Sequence, residues 1–333
     1  MDSTPIFKNI VFLGTGGTIA GTASSAQDNV GYQSAQLGVS RLLEAMPALP
    51  AALGGLVLES EQVLQIDSKD MECAHWLALA QRVRHHLARE SVQGVVVTHG
   101  TDTLEETAFF LSQVLSAECL ARKPVVLTCA MRPASSMAPD GPQNVLDALA
   151  LVRAEQASGV LVVCAGVVHA ARQVQKIHPY RLNAFDSGEA GPVAVVQEGA
   201  LRWLRACPVE ATPLAGLDLE HWRARAWPRV EVLMSYAGAT GASVRALCAA
   251  PVGGDAPLRG IVVAGTGNGT IHASLQTALQ AAQAAGVRVV RSTRCAYGAV
   301  VPAAQAALPD AHGLSPLKAR IALRLELMAD PEI

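Results

Sequence analysis

The chain has 333 residues, of which 50% are hydrophobic and only 16% are charged, and its formal net charge is −2 at pH 7. A chain of this length allows two domains with sizeable cores. The near-neutral charge argues against binding to nucleic acid or to a membrane surface. No apolar run approaches the roughly 20 residues that span a bilayer, and the opening residues, MDSTPIFKN, lack the basic and apolar regions of a secretory signal. We therefore predict a cytoplasmic protein.

The cysteines and histidines show none of the spacings typical of a metal site. The seven cysteines form no CxxC pair, and the nine histidines form no HExxH pattern. An odd number of cysteines without such a pair predicts reduced, buried thiols rather than a disulfide framework or a zinc site. His85 and His86 are adjacent and would point about 100° apart on a helix, which makes them a poor pair of ligands. The sequence therefore predicts no metal site.

Short apolar runs alternate with segments of helical periodicity through the first 197 residues. The runs predict buried strands at 6–13, 92–98, 124–129 and 160–164, and the periodic segments predict helices at 73–89, 105–116 and 143–155. Thr103 followed by Glu106 matches a capping box, so a helix should begin just after THGTDT. This alternation predicts an α/β fold: a larger N-terminal domain, residues 1–197, with a parallel sheet and helices on both faces.

The next stretch, 198–227, has a different composition. It contains tryptophans, prolines and scattered arginines without a sustained period, which predicts an irregular connector. A second series then begins, with strands predicted at 230–235, 261–264 and 287–291 and helices at 274–285 and 316–328. We therefore predict a smaller C-terminal α/β domain over residues 228–333.

Two polar motifs follow predicted strands, at the place where parallel sheets bind ligands. The first, FLGTGGTIAG at 12–21, lacks the Gly-Lys-Ser/Thr ending of a Walker phosphate loop and has Ile19 where a dinucleotide fingerprint needs its third glycine. Nucleotide binding is therefore disfavoured. A plain tight turn and a loop that presents the hydroxyl of Thr18 both stay open.

The second motif, VVVTHGTDTLEETA at 95–108, places Thr101 and Asp102 after a strand. A hydroxyl is a poor nucleophile near neutral pH unless a base takes its proton. Lysine can act as that base, whereas arginine stays charged. Lysine is scarce in this chain, which makes Lys176 a candidate, although a solvated surface side chain is the simpler interpretation of any one lysine.

The motifs TGGTIAG, THGTDTLEETA, CAMRPASSMAPDGPQN and VVAGTGNGT occur in this order over essentially the whole chain. In these motifs the chain resembles the bacterial-type L-asparaginases and glutaminase-asparaginases. The resemblance implies hydrolysis of the side-chain amide of asparagine to aspartate and ammonia, without a metal or a cofactor. It also implies a homotetramer built as a dimer of dimers, with each site closed by the neighbouring subunit.

The resemblance also implies the roles of individual residues. Backbone N–H groups of the glycine loop would stabilise the oxyanion. Thr18 would be the nucleophile that forms an acyl-enzyme, and Tyr32 would lie on the loop that follows it. Thr101, Asp102 and Lys176 would form the second relay, which activates water. The implied substrate-binding residues are Gly17, Ser68 for the α-carboxylate, Asp102 for the α-ammonium, and Ala130.

Three further positions depart from the family pattern and are expected at the substrate. Lys69 stands where many secreted members have glutamine, Gln305 where a partner subunit usually supplies glutamate, and Thr270 where asparagine is common. Losing an acid and gaining a cation predicts weaker substrate affinity and little glutaminase activity, unless Lys69 points to Asp67 or Asp70. Two alternatives stay open: a related amidase for another small amide, and a binding or sensor module that has lost turnover.

Overall fold

A computed structural model of the chain describes residues 8–208, 219–249, 256–303 and 307–330. The chain divides into two units, Met1–Leu219 and Glu220–Ile333. In the described ranges, no helix is both long enough and apolar enough to cross a membrane.

Within residues 8–208, eight strands form one sheet in the order β10-β9-β6-β5-β4-β3-β1-β2, and β7 and β8 pair separately. The strands are β1 (Asn9–Gly16), β2 (Val57–Ile66), β3 (Val92–Thr98), β4 (Val125–Thr128), β5 (Val160–Cys164), β6 (Val167–Ala170), β7 (Gln175–Lys176), β8 (Phe185–Asp186), β9 (Ala194–Gln197) and β10 (Ala200–Trp203). Strands β1 to β5 run parallel, which confirms the predicted centre of the sheet. The edge strand β2 was not predicted, because none of its residues is fully buried and it has no continuous apolar run.

Three strands at the other end of the sheet run antiparallel, a feature that the sequence analysis did not include. The hairpins β5–β6 and β9–β10 turn through Ala165–Gly166 and Glu198–Gly199. In both turns the two residues have positive φ angles, 51° and 74° in the first and 50° and 72° in the second. Such a backbone is typical of the type I′ turn, whose twist suits a hairpin. Residues 198–227, predicted as an irregular connector, therefore begin with a strand of this sheet.

Helices cover both faces of the sheet. They are α1 (Val39–Glu44), α2 (Leu49–Leu53), α3 (Cys73–Leu87), α4 (Leu104–Val114), α5 (Ala117–Arg122) and α6 (Gly141–Arg153). Residues of α1, α2 and α6 share one buried cluster with Ile10, Phe12 and Val96 of the strands. Helices α3 and α4 contact the sheet and each other outside that cluster, and Trp76 stacks on Phe110 with ring centroids 5.2 Å apart. The three helices predicted for this part of the chain are confirmed to within two residues at each end.

The described part of the second unit is built on a parallel sheet of three strands, in the order β11-β12-β13. Its strands are β11 (Arg229–Met234), β12 (Leu258–Gly265) and β13 (Arg288–Thr293), and the helices are α7 (Leu219–Ala224), α8 (Ala242–Cys248), α9 (Ala273–Ala284) and α10 (Pro316–Ala329). Alternate residues of β12 face opposite sides: Ile261 and Val263 pack in the cluster of α9, and Val262 packs in that of α10. This unit is the smaller α/β part that the sequence predicted.

Candidate active site

The loop after β1 can hold only glycine at its tightest point. Gly16 and Gly17 have φ angles of 97° and 81°. A Cβ atom on Gly17 would lie 2.2 Å from the Cα of Gly100, and one on Gly100 would lie 2.5 Å from Oγ of Ser68. The segments at the ends of β1 and β3 therefore meet through their backbones, and the side chain of Ser68 packs against the same point. A short 3-10 turn, Thr18–Ala20, follows directly.

The first pair of functional side chains is Thr18 with Tyr32. Thr18 is only 7% exposed, and its Oγ1 lies 2.6 Å from the Tyr32 hydroxyl. Burial raises the pKa of Tyr32 above its ordinary value of 10.0, and the nearby carboxylates of Asp67 and Asp102 raise it further. The Tyr32 phenol is therefore protonated at neutral pH and can both donate a hydrogen bond to Thr18 and accept one from it.

The second set lies just beyond β3 and joins three side chains. Nζ of Lys176, in β7, donates to Oγ1 of Thr101 at 2.8 Å and to Oδ1 of Asp102 at 2.6 Å. Thr101 is buried, and Lys176 is mostly buried. The structure thus brings together the hydroxyl, carboxylate and amine that the sequence analysis grouped, across about 75 residues of chain.

A buried chain of hydrogen bonds supports this loop and was missed in the sequence. His99 is fully buried, and burial lowers its pKa to about 4, so that the ring is neutral at pH 7. Its Nδ1 lies 2.7 Å from the Gly100 carbonyl, which can only accept, and its Nε2 lies 2.9 Å from Oγ1 of Thr107. Trp76 Nε1 donates to the same Thr107 oxygen at 2.9 Å. No local pattern could have shown this chain, because it joins a strand end to two helices.

Ser68 ties a third segment to the same loop. Its buried Oγ accepts from the N–H of Asp102 at 3.2 Å, and its carbonyl accepts from Oγ1 of Thr103 at 2.7 Å. Thr103 precedes the first residue of α4, as predicted, but its side chain makes no capping hydrogen bond. The predicted capping box with Glu106 is therefore wrong: the hydroxyl is used to hold Ser68 instead.

Lys69 points to its own neighbours in the chain. Its Nζ lies 2.8 Å from Oδ2 of Asp67 and 3.4 Å from Oδ2 of Asp70, and its side chain is 62% exposed. This is the arrangement under which the expected cost to substrate binding is reduced, because two carboxylates offset the added cation.

The loop after β4 carries Ala130, which is fully buried. Asp140 accepts from the N–H groups of Met131 and Arg132, each at 2.9 Å. Asn144 donates to the carbonyl of Cys129 at 2.9 Å. Asp140 and Asn144 belong to the motif CAMRPASSMAPDGPQN, which by itself predicts no role for them; in the structure they hold the backbone on both sides of Ala130.

Two predicted binding residues, Thr270 and Gln305, remain to be considered. Thr270 belongs to the second unit, where its Oγ1 lies 2.8 Å from Oγ1 of Thr266 in a tight turn. Gln305 lies outside the described residues. Among the residues that the structure describes, no group of three or more His, Cys, Asp or Glu side chains could hold a metal ion.

Comparison with known families matches nearly the whole chain. The family described as "Asparaginase, N-terminal" matches residues 9–208, and the "Glutaminase/Asparaginase C-terminal domain" matches residues 229–332.

Comparison with individual proteins agrees with the family match. The chain is 37% identical to L-asparaginase 2 of Escherichia coli (strain K12) over 329 residues, which cover 96% of this chain and 88% of that protein. It is 35% identical to the glutaminase-asparaginase of Pseudomonas fluorescens biotype A over 322 residues, covering 94% and 84%. A crystal structure of a probable cytoplasmic L-asparaginase from Campylobacter jejuni superposes with a TM-score of 0.86 at 34% identity, covering 98% of this chain and 97% of that one. The chain belongs to the asparaginase family.

Proposed function

We propose that the chain hydrolyses the side-chain amide of L-asparagine to L-aspartate and ammonia through an acyl-enzyme on Thr18. One observation carries the proposal: the Thr18–Tyr32 pair and the Thr101–Asp102–Lys176 set stand at the ends of the adjacent parallel strands β1 and β3. Neighbouring strands lie about 4.8 Å apart, so that both sets can reach one small substrate.

The first step forms the ester. Thr18 Oγ1 attacks the amide carbon, a C–O bond forms, and the C–N bond breaks when the tetrahedral intermediate collapses. The leaving nitrogen must receive the proton that Thr18 loses. Tyr32 is neutral and 2.6 Å away, and can therefore accept that proton while it donates its own. The N–H of Gly17 already donates to the Ile66 carbonyl at 3.0 Å, so any oxyanion donor from this loop is another N–H.

The second step releases the acid. Water attacks the ester carbon, and one of its protons passes through Thr101 Oγ1 to Lys176. As the ester C–O bond breaks, the Tyr32 hydroxyl, 2.6 Å from Thr18 Oγ1, donates a proton to it. Tyr32 regains a proton from solvent and Lys176 returns one to solvent, so that no net proton is gained or lost by the protein. Lys176 can accept a proton only as a neutral amine, and its nitrogen donates to both Thr101 and Asp102 in the structure. The α-ammonium of the substrate, bound at Asp102, would compete with Lys176 for that carboxylate.

The substrate contacts follow the same assignment. Ser68 would hold the α-carboxylate and Asp102 the α-ammonium. The backbones of Gly17 and Ala130 would lie beside the amide. The roles in substrate binding that the sequence predicts for Lys69, Thr270 and Gln305 stay predictions. Because Asp67 and Asp70 pair with Lys69, the affinity for asparagine should depend little on that lysine. A Lys69→Gln variant whose KM for asparagine falls more than about tenfold would contradict this.

We also propose a cytoplasmic homotetramer, arranged as a dimer of dimers. The structure from Campylobacter jejuni is named a probable cytoplasmic L-asparaginase, and half of the residues of this chain are hydrophobic. Light scattering on the purified protein at micromolar concentration should give four times the mass of one chain; a monomer would contradict the proposal.

The test of the activity is ammonia release by the purified protein from asparagine, glutamine and other small amides. Asparagine should be the preferred substrate, Thr18→Ala should abolish release, and Thr18→Ser should retain part of it because the hydroxyl remains. Release from another amide but not from asparagine would favour a related amidase. Release from no amide would favour the binding or sensor module and would overturn the proposal.

A further inference from the structure

Glu105 is a buried carboxylate next to the proposed relay, and no step of the reaction uses it. It lies in the first turn of α4, and only 7% of its surface is exposed. Its Oε2 accepts the backbone N–H of Lys176 at 2.5 Å, a contact between residues 71 positions apart.

This contact fixes the backbone of Lys176, which lies in a very short strand. Lys176 stands in β7, a strand of two residues that pairs with β8 outside the eight-stranded sheet. Thr101 stands on the loop that leads into α4, four residues before Glu105. One carboxylate therefore joins the strand that carries the amine to the helix that follows the hydroxyl.

A buried glutamate costs folding free energy unless hydrogen bonds inside the protein compensate for its lost hydration. A buried carboxylate loses the hydration that it has in the unfolded chain and must regain hydrogen bonds inside the protein. The N-terminus of α4 favours a negative charge, and a hydrogen bond to a charged acceptor is stronger than one between neutral groups. The amide N–H of Lys176 receives an acceptor at a fixed point, which an apolar side chain of similar size could not supply.

We propose that Glu105 is a positioning residue: by accepting the backbone N–H of Lys176, it holds the lysine amine on Thr101 and Asp102. The inference rests on the proposed function, because it concerns the relay of the second step. Loss of Glu105 should therefore slow release of the acid more than formation of the ester.

The experiment compares four proteins: the parent, Glu105→Leu, Glu105→Gln and Glu106→Gln. Leucine removes the acceptor, glutamine keeps an acceptor oxygen without the charge, and Glu106→Gln makes the same chemical change one residue away. For Glu105→Leu we expect kcat to fall about 10- to 100-fold, since a displacement of about 1 Å costs this much. KM should fall with it, because kcat/KM of an acyl-enzyme reaction reports formation of the ester and should stay within about threefold of the parent. Glu105→Gln should retain most of the activity, and Glu106→Gln should match the parent.

The fate of the acyl-enzyme separates positioning from a general loss of structure. After acid quenching during turnover, intact mass should show a larger fraction of Thr18 adduct for Glu105→Leu than for the parent, because only the second step is slowed. A general loss of structure would slow both steps and leave that fraction unchanged, which would overturn the proposal. So would an unchanged kcat in folded Glu105→Leu, or a Glu105→Gln variant as impaired as Glu105→Leu.

A replacement variant and a separate test of the proposed function keep the two proposals distinguishable. If Glu105→Leu does not fold, Glu105→Asp replaces it, because its carboxylate is one methylene too short to reach the same N–H; parent-like activity of this variant would overturn the inference. The proposed function fails separately, when Thr18→Ala or Lys176→Ala retains full activity.

Discussion

Tyr32, the partner of Thr18, and Lys176, the partner of Thr101, are held in different ways. Tyr32 is carried by residues 22–34, a loop closed by backbone hydrogen bonds between Thr22 and Gln33 and turned by exposed residues around Asp28. Lys176 is fixed at its backbone by the buried Glu105, and Thr101 follows the buried His99.

The difference indicates how well each of the two proposed reaction steps tolerates substitutions near its residues. A side chain on an exposed loop can adjust as a substrate enters, since few buried contacts oppose its motion. A side chain held by buried polar contacts is already in place, and disturbing those contacts costs activity. We therefore expect the two halves to respond differently to substitution.

The largest effect is expected at the nucleophile. Thr18→Ala should lower kcat by at least about 10⁴-fold, because no ester can form. Steady-state ammonia release measures the loss, and mass spectrometry should find no adduct. An adduct on another residue of this variant would show that the nucleophile lies elsewhere.

The next effect is expected at the second hydroxyl. Thr101→Val keeps the shape of the side chain but cannot pass a proton to Lys176, and kcat should fall about 10²- to 10⁴-fold. In contrast to Thr18→Ala, this variant should accumulate the acyl-enzyme. If both variants lack an adduct, the assignment of the two sets to two successive steps is wrong.

A smaller effect is expected for Tyr32→Phe, which removes the hydroxyl and keeps the ring. The hydroxyl carries the proton of the first step, but water can take over part of this transfer beside an exposed loop, so kcat should decrease only about 10- to 100-fold. Because the pKa of Tyr32 is raised, the phenol should ionise only above pH 10. The ultraviolet difference between parent and variant should therefore reach half of the phenolate signal only above pH 10, and half of that signal at pH 8 would contradict the assignment.

The smallest effect is expected far from both sets. At the amino end of β1, Asn9 donates to Glu59 of β2, and Arg89, two residues after the end of α3, holds the pKa of that carboxyl at about 2. A lowered pKa stabilises the fold above the unfolded value of about 4.5, and this contribution disappears as the pH falls towards about 2. Because about a third of each side chain is exposed and solvent screens the pair, Glu59→Gln should lower the free energy of unfolding by no more than about 1 kcal/mol at pH 7.

Denaturant unfolding at several pH values checks this prediction. The difference between parent and Glu59→Gln should shrink between pH 4.5 and pH 2, while kcat at pH 7 stays within about twofold. A change in kcat as large as that of Tyr32→Phe would show that the two sets are coupled to the opposite end of the sheet.

The sequence allowed the central strands and the site motifs to be predicted because both have local signals. Strands β1 and β3 are continuous apolar runs, and the polar residues that follow them fall at the binding edge of a parallel sheet. Lys176 was a candidate because lysine is scarce in this chain and because the chain resembles the asparaginases. The structure places its amine within hydrogen-bonding distance of Thr101.

Other features could not be predicted, because their causes lie far away in the chain. The carboxylate of Glu105 contacts a backbone 71 residues away, and the ring of His99 is oriented by Thr107 and through it by Trp76. Neither contact changes the local periodicity. The same holds for the hydroxyl of Thr103, which a local rule assigns to its own helix but which bonds to Ser68.

The contact between Gly17 and Gly100 has a practical consequence for anyone who wishes to alter the selectivity of this protein. Since the two main chains touch where any side chain would collide, a library randomised at these positions will return almost only inactive clones. Directed evolution of the site has to work from the surrounding side chains, with this glycine pair left as it is.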